Sequence, residues 1–160
     1  MGNNANSGGN NGSQRRDPLP VFCFKVQMTG IEGAAFFKSV SGLKYELETI
    51  PVREGGNNAT IYNLIGGAKW SNIVLKTGFT ADSGKNGLLR WRNEWLAEGG
   101  GTRIDGTITL LDTALQPKQS WKWLRGIPVK WEISEFDASK SELAIETLEI
   151  AHEGLSYQAK

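Results

Sequence analysis

The sequence predicts a mainly β fold, an antiparallel β-barrel or sandwich of about eight strands with one flanking α-helix and a long projecting hairpin. Three observations predict it. From Val21 onward, apolar and polar residues alternate in short runs separated by Gly, Asn, Asp and Pro. Helical spacing shows in a single stretch, around Leu88, Trp91 and Trp95. Between Val40 and Thr80, two alternating arms flank a tip too polar to lie in a core.

Residues 1–16 hold five Asn, four Gly and two Ser and no large apolar side chain apart from Met1. Such a stretch cannot repay the entropy of ordering, so a flexible tail is expected, ending at Arg15-Arg16. Asp17-Pro18 and Pro20 punctuate the start of one domain over residues 17–160, the expectation for a chain of 160 residues.

Val21–Met28 reads as a strand, with Phe22, Phe24, Val26 and Met28 on one face and Cys23, Lys25 and Gln27 on the other. Gly30–Gly33 is a turn, and Ala34–Val40 a short strand. Leu43, Tyr45 and Leu47 then alternate with Lys44, Glu46 and Glu48. The tip, Arg53-Glu54-Gly55-Gly56-Asn57-Asn58, is rich in residues that tolerate positive φ. Thr60–Ile65 returns as the second arm, carrying Tyr62, and Asn72–Phe79 follows as the next strand. A hairpin with such a tip projects, and a projecting hairpin is a contact element.

The period then changes. Leu88, Trp91 and Trp95 form a helical packing stripe, with Leu89 and Leu96 beside it. Asp82, Ser83 or Asn86 can cap its start, and Gly99 closes it. Thr102–Leu111 returns to strand. Ser120–Leu124 and Ile127–Ile133 read as two further strands, the latter with Trp131 in phase with Val129 and Ile133. Leu143–Tyr157 reads as the last, with a slip near Glu146 that suggests a bulge or a strand buried on both faces.

Composition narrows the function. Eighteen basic and 17 acidic residues give a charge of +1, which calls for no polyanion or anionic membrane. One cysteine, Cys23, excludes an internal disulfide framework. No apolar run approaches the roughly 20 residues that span a bilayer, so no membrane insertion by this chain alone is expected. The start has no apolar signal core, and synthesis and assembly in the cytoplasm are expected.

Motifs for chemistry are weak. Gly78 to Lys85 comes near a phosphate-binding loop, but five residues separate its glycines and Asn86 stands where Ser or Thr should hold magnesium. His152 is the only histidine, and with one thiol the chain lacks a metal-ligand set; a structural histidine on a strand is expected. No nucleophile elbow or marked carboxylate pair is present. The sequence therefore points to a non-enzyme with no catalytic residue, cofactor or metal. Asn58-Ala59-Thr60 fits a glycosylation sequon, silent without a secretory signal. Lys69-Trp70, Arg90-Trp91-Arg92, Trp121-Lys122-Trp123 and Lys130-Trp131 offer the rival reading, a small nucleic-acid-binding barrel using Trp/Lys/Arg surfaces. Against it, alternation and the helix stripe put these tryptophans in a core or subunit interface. A monomeric barrel holding a small apolar ligand is the third reading.

A family resemblance adds to this. Ser41-Gly42-Leu43, Glu46-x-Glu48, Arg53-Glu54-Gly55-Gly56-Asn57 and Lys69 to Gly78 resemble the inner tube (tail tube) protein of contractile phage tails, R-type pyocins and extracellular contractile injection systems. The likeness extends to Asp17-Pro18, Phe22-x-Phe24-x-Val26, Pro128-Val129-Lys130-Trp131-Glu132 and Glu146 to Leu155. It covers Asp17 to Leu155, and its specificity lies in the order and spacing of these motifs together. The first sixteen residues depart from the family pattern, in which Asp-Pro sits close to the start. Type VI secretion tubes of the Hcp type share the architecture, with fewer local matches.

The resemblance implies a structural subunit that forms hexameric rings stacking into a hollow tube, driven through a target envelope by sheath contraction. It implies as partners further copies of the chain, a sheath protein, baseplate or spike and tube-initiator proteins, and luminal cargo of DNA or protein. Its implied destination is a phage tail or an injection particle. It places assembly contacts on the hairpin tip, Arg53 to Asn58, and on the arms, at Lys44, Glu46, Glu48 and Tyr62.

Overall fold

The computed structural model describes residues 23–53, 55–56, 61–78, 87–135, 139 and 144–158. Ten strands and one helix follow in the order β1 (Cys23–Met28), β2 (Ala35–Phe37), β3 (Ser39–Ser41), β4 (Tyr45–Arg53), β5 (Ile61–Trp70), β6 (Ile73–Gly78), α1 (Gly87–Leu96), β7 (Ile104–Leu111), β8 (Pro117–Ile133), β9 (Ile145–Ala151) and β10 (Gly154–Gln158).

Eight strands form one antiparallel sheet in the order β2-β1-β7-β8-β9-β6-β3, with β10 also on β8, while among the described residues β4 and β5 pair only with each other. The ends of that order are adjacent in sequence. β2 pairs with β1, β3 pairs with β6, and only Lys38 lies between β2 and β3. The Lys38 N–H donates to Lys76 O at 2.9 Å, so the sheet closes into a barrel, which removes the edges an open sheet would leave.

Alternation builds the core. Val26, Ile73, Leu75, Ile108, Trp123 and Ile150 point inward and are fully buried. Each such side chain stabilises the fold by about 1.5–3 kcal/mol. The helix lies on the barrel through Leu88 and Trp91, both buried, with Trp95 partly buried against the same cluster. The Trp91 indole N–H donates to Thr102 O at 2.8 Å, which ties α1 to the segment leading into β7. Gly99, at φ +104°, turns the chain after the helix, as Gly does at helix C-termini. The cap candidates Asp82, Ser83 and Asn86 lie outside the described residues, as do Phe22 and Phe79.

Three strand expectations are corrected. First, residues 117–133 form one strand, because β8, beyond an irregularity at Lys118, carries two bulges that interrupt its alternation. At the first, Leu124 and Arg125 oppose Asp105; Arg125 takes φ 49° and its N–H donates to the Asp105 carboxylate at 2.9 Å. At the second, Val129 is the extra residue, 48% exposed and out of phase with Trp131. Trp131 pairs with Leu148 and stays 37% exposed at the rim.

Second, the last strand is two, β9 and β10, interrupted at His152-Glu153 while keeping one register along β8. Third, β9 has no bulge at Glu146. Glu146 is itself buried in phase with Leu148 and Ile150, and Ile145 is exposed. A glutamate in a core position had disguised the alternation.

Candidate assembly surface

The β4–β5 hairpin stands apart from the barrel as a two-stranded ribbon. Its register runs from Tyr45 opposite Trp70 at the root to Arg53 opposite Ile61 near the tip. Every residue of β4 is exposed, and on β5 only Gly66 and Trp70 are partly covered. The ladder slips between Leu47 and Thr49, where Gly66 and Gly67 oppose Glu48. A Cβ at Gly66 would stand 3.0 Å from Glu48 O, so this bulge needs a small residue.

The two faces differ along their length. Near the root, one face presents Tyr45, Leu47, Ala68 and Trp70, and the other presents Glu46 opposite Lys69. Beyond the bulge, Ile50, Val52, Leu64 and Tyr62 share one face while Ile61 and Ile65 lie on the other. All six are at least 40% exposed, and Ile65 reaches 75%. A contiguous apolar ribbon of this kind marks an interaction surface. Among the described residues both outer edges of the ribbon lack a strand partner, and an isolated hairpin is marginal in water.

The predicted arm residues sit on this ribbon. Glu46 and Glu48 are exposed on β4, and Tyr62 is exposed on β5 opposite Val52. Lys44 lies just before β4, where its carbonyl accepts the Ser71 N–H at 3.2 Å and closes the root. At the tip, Arg53 ends β4, and Gly55 and Gly56 form a turn with Gly56 at φ +98°. Glu54, Asn57 and Asn58 lie outside the described residues, and so does the whole sequon. The exposed apolar positions Ile50, Val52, Leu64 and Ile65 add to the expected arm residues Lys44, Glu46, Glu48 and Tyr62; their signal in the sequence is an apolar residue on each side of a strand with no core to serve.

The root is tied to the barrel by specific contacts. Trp70 packs against Tyr45 at 5.4 Å between ring centroids and against His152 at 5.8 Å. The two nitrogens of His152 each lie 3.0 Å from a carbonyl oxygen, that of Gly154 and that of Ser71. Asn72 donates to Glu149 Oε1 at 2.7 Å. Gly42, at φ +82°, passes so close to Asn72 O that any side chain there would collide with it. On the turn beside His152, the Glu153 carboxylate bridges Arg103 and Arg125, each at 2.9 Å.

The other chemical candidates resolve into structure. Trp91 and Trp123 are fully buried, and each donates its indole N–H to a backbone carbonyl. They cannot stack on bases. Trp131 is covered by Arg92, whose guanidinium carbon lies 4.1 Å from the ring centroid. Lys130 and Glu132 pair at 2.8 Å, which raises the lysine pKa and lowers that of the carboxyl. The glycine-rich stretch before α1 lies largely outside the described residues. Among those described, no group of three or more His, Cys, Asp and Glu side chains is placed to hold a metal ion, and no helix is long and apolar enough to cross a membrane.

Similar proteins agree with this architecture. A chain of the PVC extracellular contractile injection system, from its sheath–tube complex in the extended state, is 26% identical with a TM-score of 0.76, over 91% of this chain and 95% of that one. A chain of the anti-feeding prophage tube-terminating cap is 25% identical with a TM-score of 0.75, over 91% and 93%. Hcp1 from Flavobacterium johnsoniae shares the fold at 17% identity and a TM-score of 0.54, over 85% and 94%. No curated protein matches the chain. The family model for the T4-like virus tail tube protein gp19 matches residues 20–156, and the chain belongs to that family of tail tube proteins.

Proposed function

We propose that the chain is the repeating, non-enzymatic subunit of the hollow inner tube of a contractile tail or injection system. Copies form hexameric rings, rings stack, and a contracting sheath drives the tube through a target envelope. The subunit is made and assembled in the cytoplasm and ends in a phage tail or injection particle. Sheath, baseplate or spike and initiator proteins are its partners, with DNA or protein as luminal cargo. Support comes from the sheath–tube and cap chains that resemble it.

The observation that carries the reading is the β4–β5 ribbon, unpaired on both edges among the described residues and carrying exposed apolar side chains on both faces beyond Glu48. A monomer gains nothing from such a ribbon. A neighbour that covers it buries the apolar positions and completes the ladders. Repetition of one heterologous contact around a closed rotation makes a ring, and permanent interfaces of this kind bury about 2,000 Å² or more.

Negative-stain electron microscopy across a concentration series tests the reading. Rings or stacked tubes with a central hole are expected. Ile50→Asp with Leu64→Asp, which touch no core, are expected to leave a folded monomer that forms neither. A wild-type chain that stays monomeric at every concentration, and also with sheath and baseplate proteins added, overturns the reading.

A further inference from the structure

His152 occupies the junction between the projecting hairpin and the barrel. Its Nδ1 lies 3.0 Å from Gly154 O, at the start of β10, and its Nε2 lies 3.0 Å from Ser71 O, between β5 and β6. The second contact joins residues 81 positions apart. A neutral imidazole has one N–H. It can serve one of these carbonyls and must set a lone pair against the other. The imidazolium has two N–H groups and serves both. The Trp70 ring lies 5.8 Å from the imidazole, centroid to centroid. Trp70 in turn carries Tyr45, so the first rung of the hairpin rests on the histidine.

We propose that His152 is a proton-operated latch on the hairpin root: protonated, it staples Ser71 O to Gly154 O and holds the ribbon in its assembly direction; neutral, it releases one of the two. The latch itself is a property of the single chain. Its consequence for ring formation rests on the tube reading given above.

The charged groups on the surrounding elements are already engaged or exposed. Glu153, on the same turn, is held by Arg103 and by Arg125 of β8. Glu149 of β9 accepts from Asn72. Lys44 and Lys69 at the hairpin root are exposed. No carboxylate in this set therefore replaces the two carbonyls as partner of the ring. The latch is closed in the protonated form, so its contribution is present at low pH. It is lost when the ring gives up its second proton.

The chain has one histidine, so the experiment reads it without overlap. Ring ¹⁵N NMR on the full chain, at concentrations below assembly, is expected to show both nitrogens protonated at the acidic end. Amide exchange at residues 45–47 and 68–71, corrected for intrinsic pH effects, is expected to show about tenfold more opening at pH 8 than at pH 5.5, the loss of one such hydrogen bond. His152→Gln keeps a donor but cannot titrate, and its root opening is expected to be pH-independent. A single-N–H imidazole at pH 5.5 with a protected root overturns the latch, and this holds whether or not the variant folds. Equal wild-type opening at both pH values also overturns it. Sedimentation separates the two ideas: rings without pH-dependent opening sink the latch alone, and pH-dependent opening in a chain that never forms rings sinks the tube alone.

Discussion

Gly106 lies directly opposite Trp123 across the β7–β8 ladder, and the indole fills the space where a side chain at 106 would stand. Trp123 is fully buried and fixed by its N–H bond to Ile104 O at 3.0 Å. Gly126 approaches the same indole at its pyrrole ring, with a Cβ there falling 2.5 Å from Nε1. The tryptophan is the centre of the barrel, and the two glycines are its seat. Gly106→Ala is expected to destabilise the monomer by about 3 kcal/mol, because neither the ring nor the ladder can yield. Gly67→Ala, at an open position on the hairpin, is expected to stay within about 0.5 kcal/mol. Denaturant unfolding of the two variants checks the contrast.

Glu146 illustrates the opposite problem, a carboxylate in a core position. Its Oε1 accepts the Trp131 indole N–H at 2.8 Å, and its buried Oε2 has no hydrogen-bond partner among the described residues. Trp131→Phe removes the one donor and leaves the whole carboxyl group orphaned. A loss of about 2 kcal/mol is expected. Adding Glu146→Leu removes the orphan, so the double variant is expected to recover most of that loss. A double-mutant cycle in urea reads the coupling; additive losses would refute the link between the two side chains.

Much of the fold was legible because period-two alternation survives wherever a strand has one buried face. Val26, Ile108 and Ile150 were readable for that reason. Where it failed, a specific residue broke the rule. Val129 and Arg125 sit in bulges, so β8 read as two strands. Glu146 took a core place that an apolar residue would have marked. The hairpin was legible as a projecting element from its Gly-Gly-Asn-Asn tip. Its apolar distal faces were not, since alternation assumes a single buried side and this ribbon has no core of its own. The His152 contacts join elements 81 residues apart, and no local pattern encodes them.

The β7–β8 turn is predicted to loosen in acid. The Asp112 carboxyl is held below the usual carboxylate range, first by its hydrogen bond from Lys118 and next by the Gln116 N–H. Its Oδ1 accepts from the N–H groups of Ala114 and Gln116, both at 2.9 Å, and Oδ2 pairs with Lys118 at 2.9 Å. This cage holds Leu115 at φ 58°, a strained value for leucine. A depressed carboxyl pKa means that the stabilisation is complete above the unfolded-state value, near 3.9, and is lost as pH falls through the folded one. Amide exchange at Ala114 and Gln116 is expected to accelerate over that acid window. In Asp112→Asn, which keeps the shape without the charge, the acceleration is expected to disappear and the exchange to be faster at neutral pH.

Arg53→Glu tests the expectation that the hairpin tip reaches a neighbouring subunit or ring. Arg53 closes β4 opposite Ile61, fully on the outside, and among the described residues it makes no ion pair. Arg53→Glu is therefore expected to change monomer stability by no more than about 0.5 kcal/mol. If the tip reaches the next subunit in a stacked tube, the same change recurs in every copy. If each contact loses about 0.5 kcal/mol, a typical value for an exposed pair, six copies remove about 3 kcal/mol per ring. That is roughly a hundredfold in the concentration at which rings stack. Sedimentation of the variant against wild type reads this directly, and high salt is expected to narrow the gap by screening. Normal stacking by a folded Arg53→Glu chain would remove the tip from the contact surface and leave the apolar faces of Ile50, Leu64 and Ile65 as its basis.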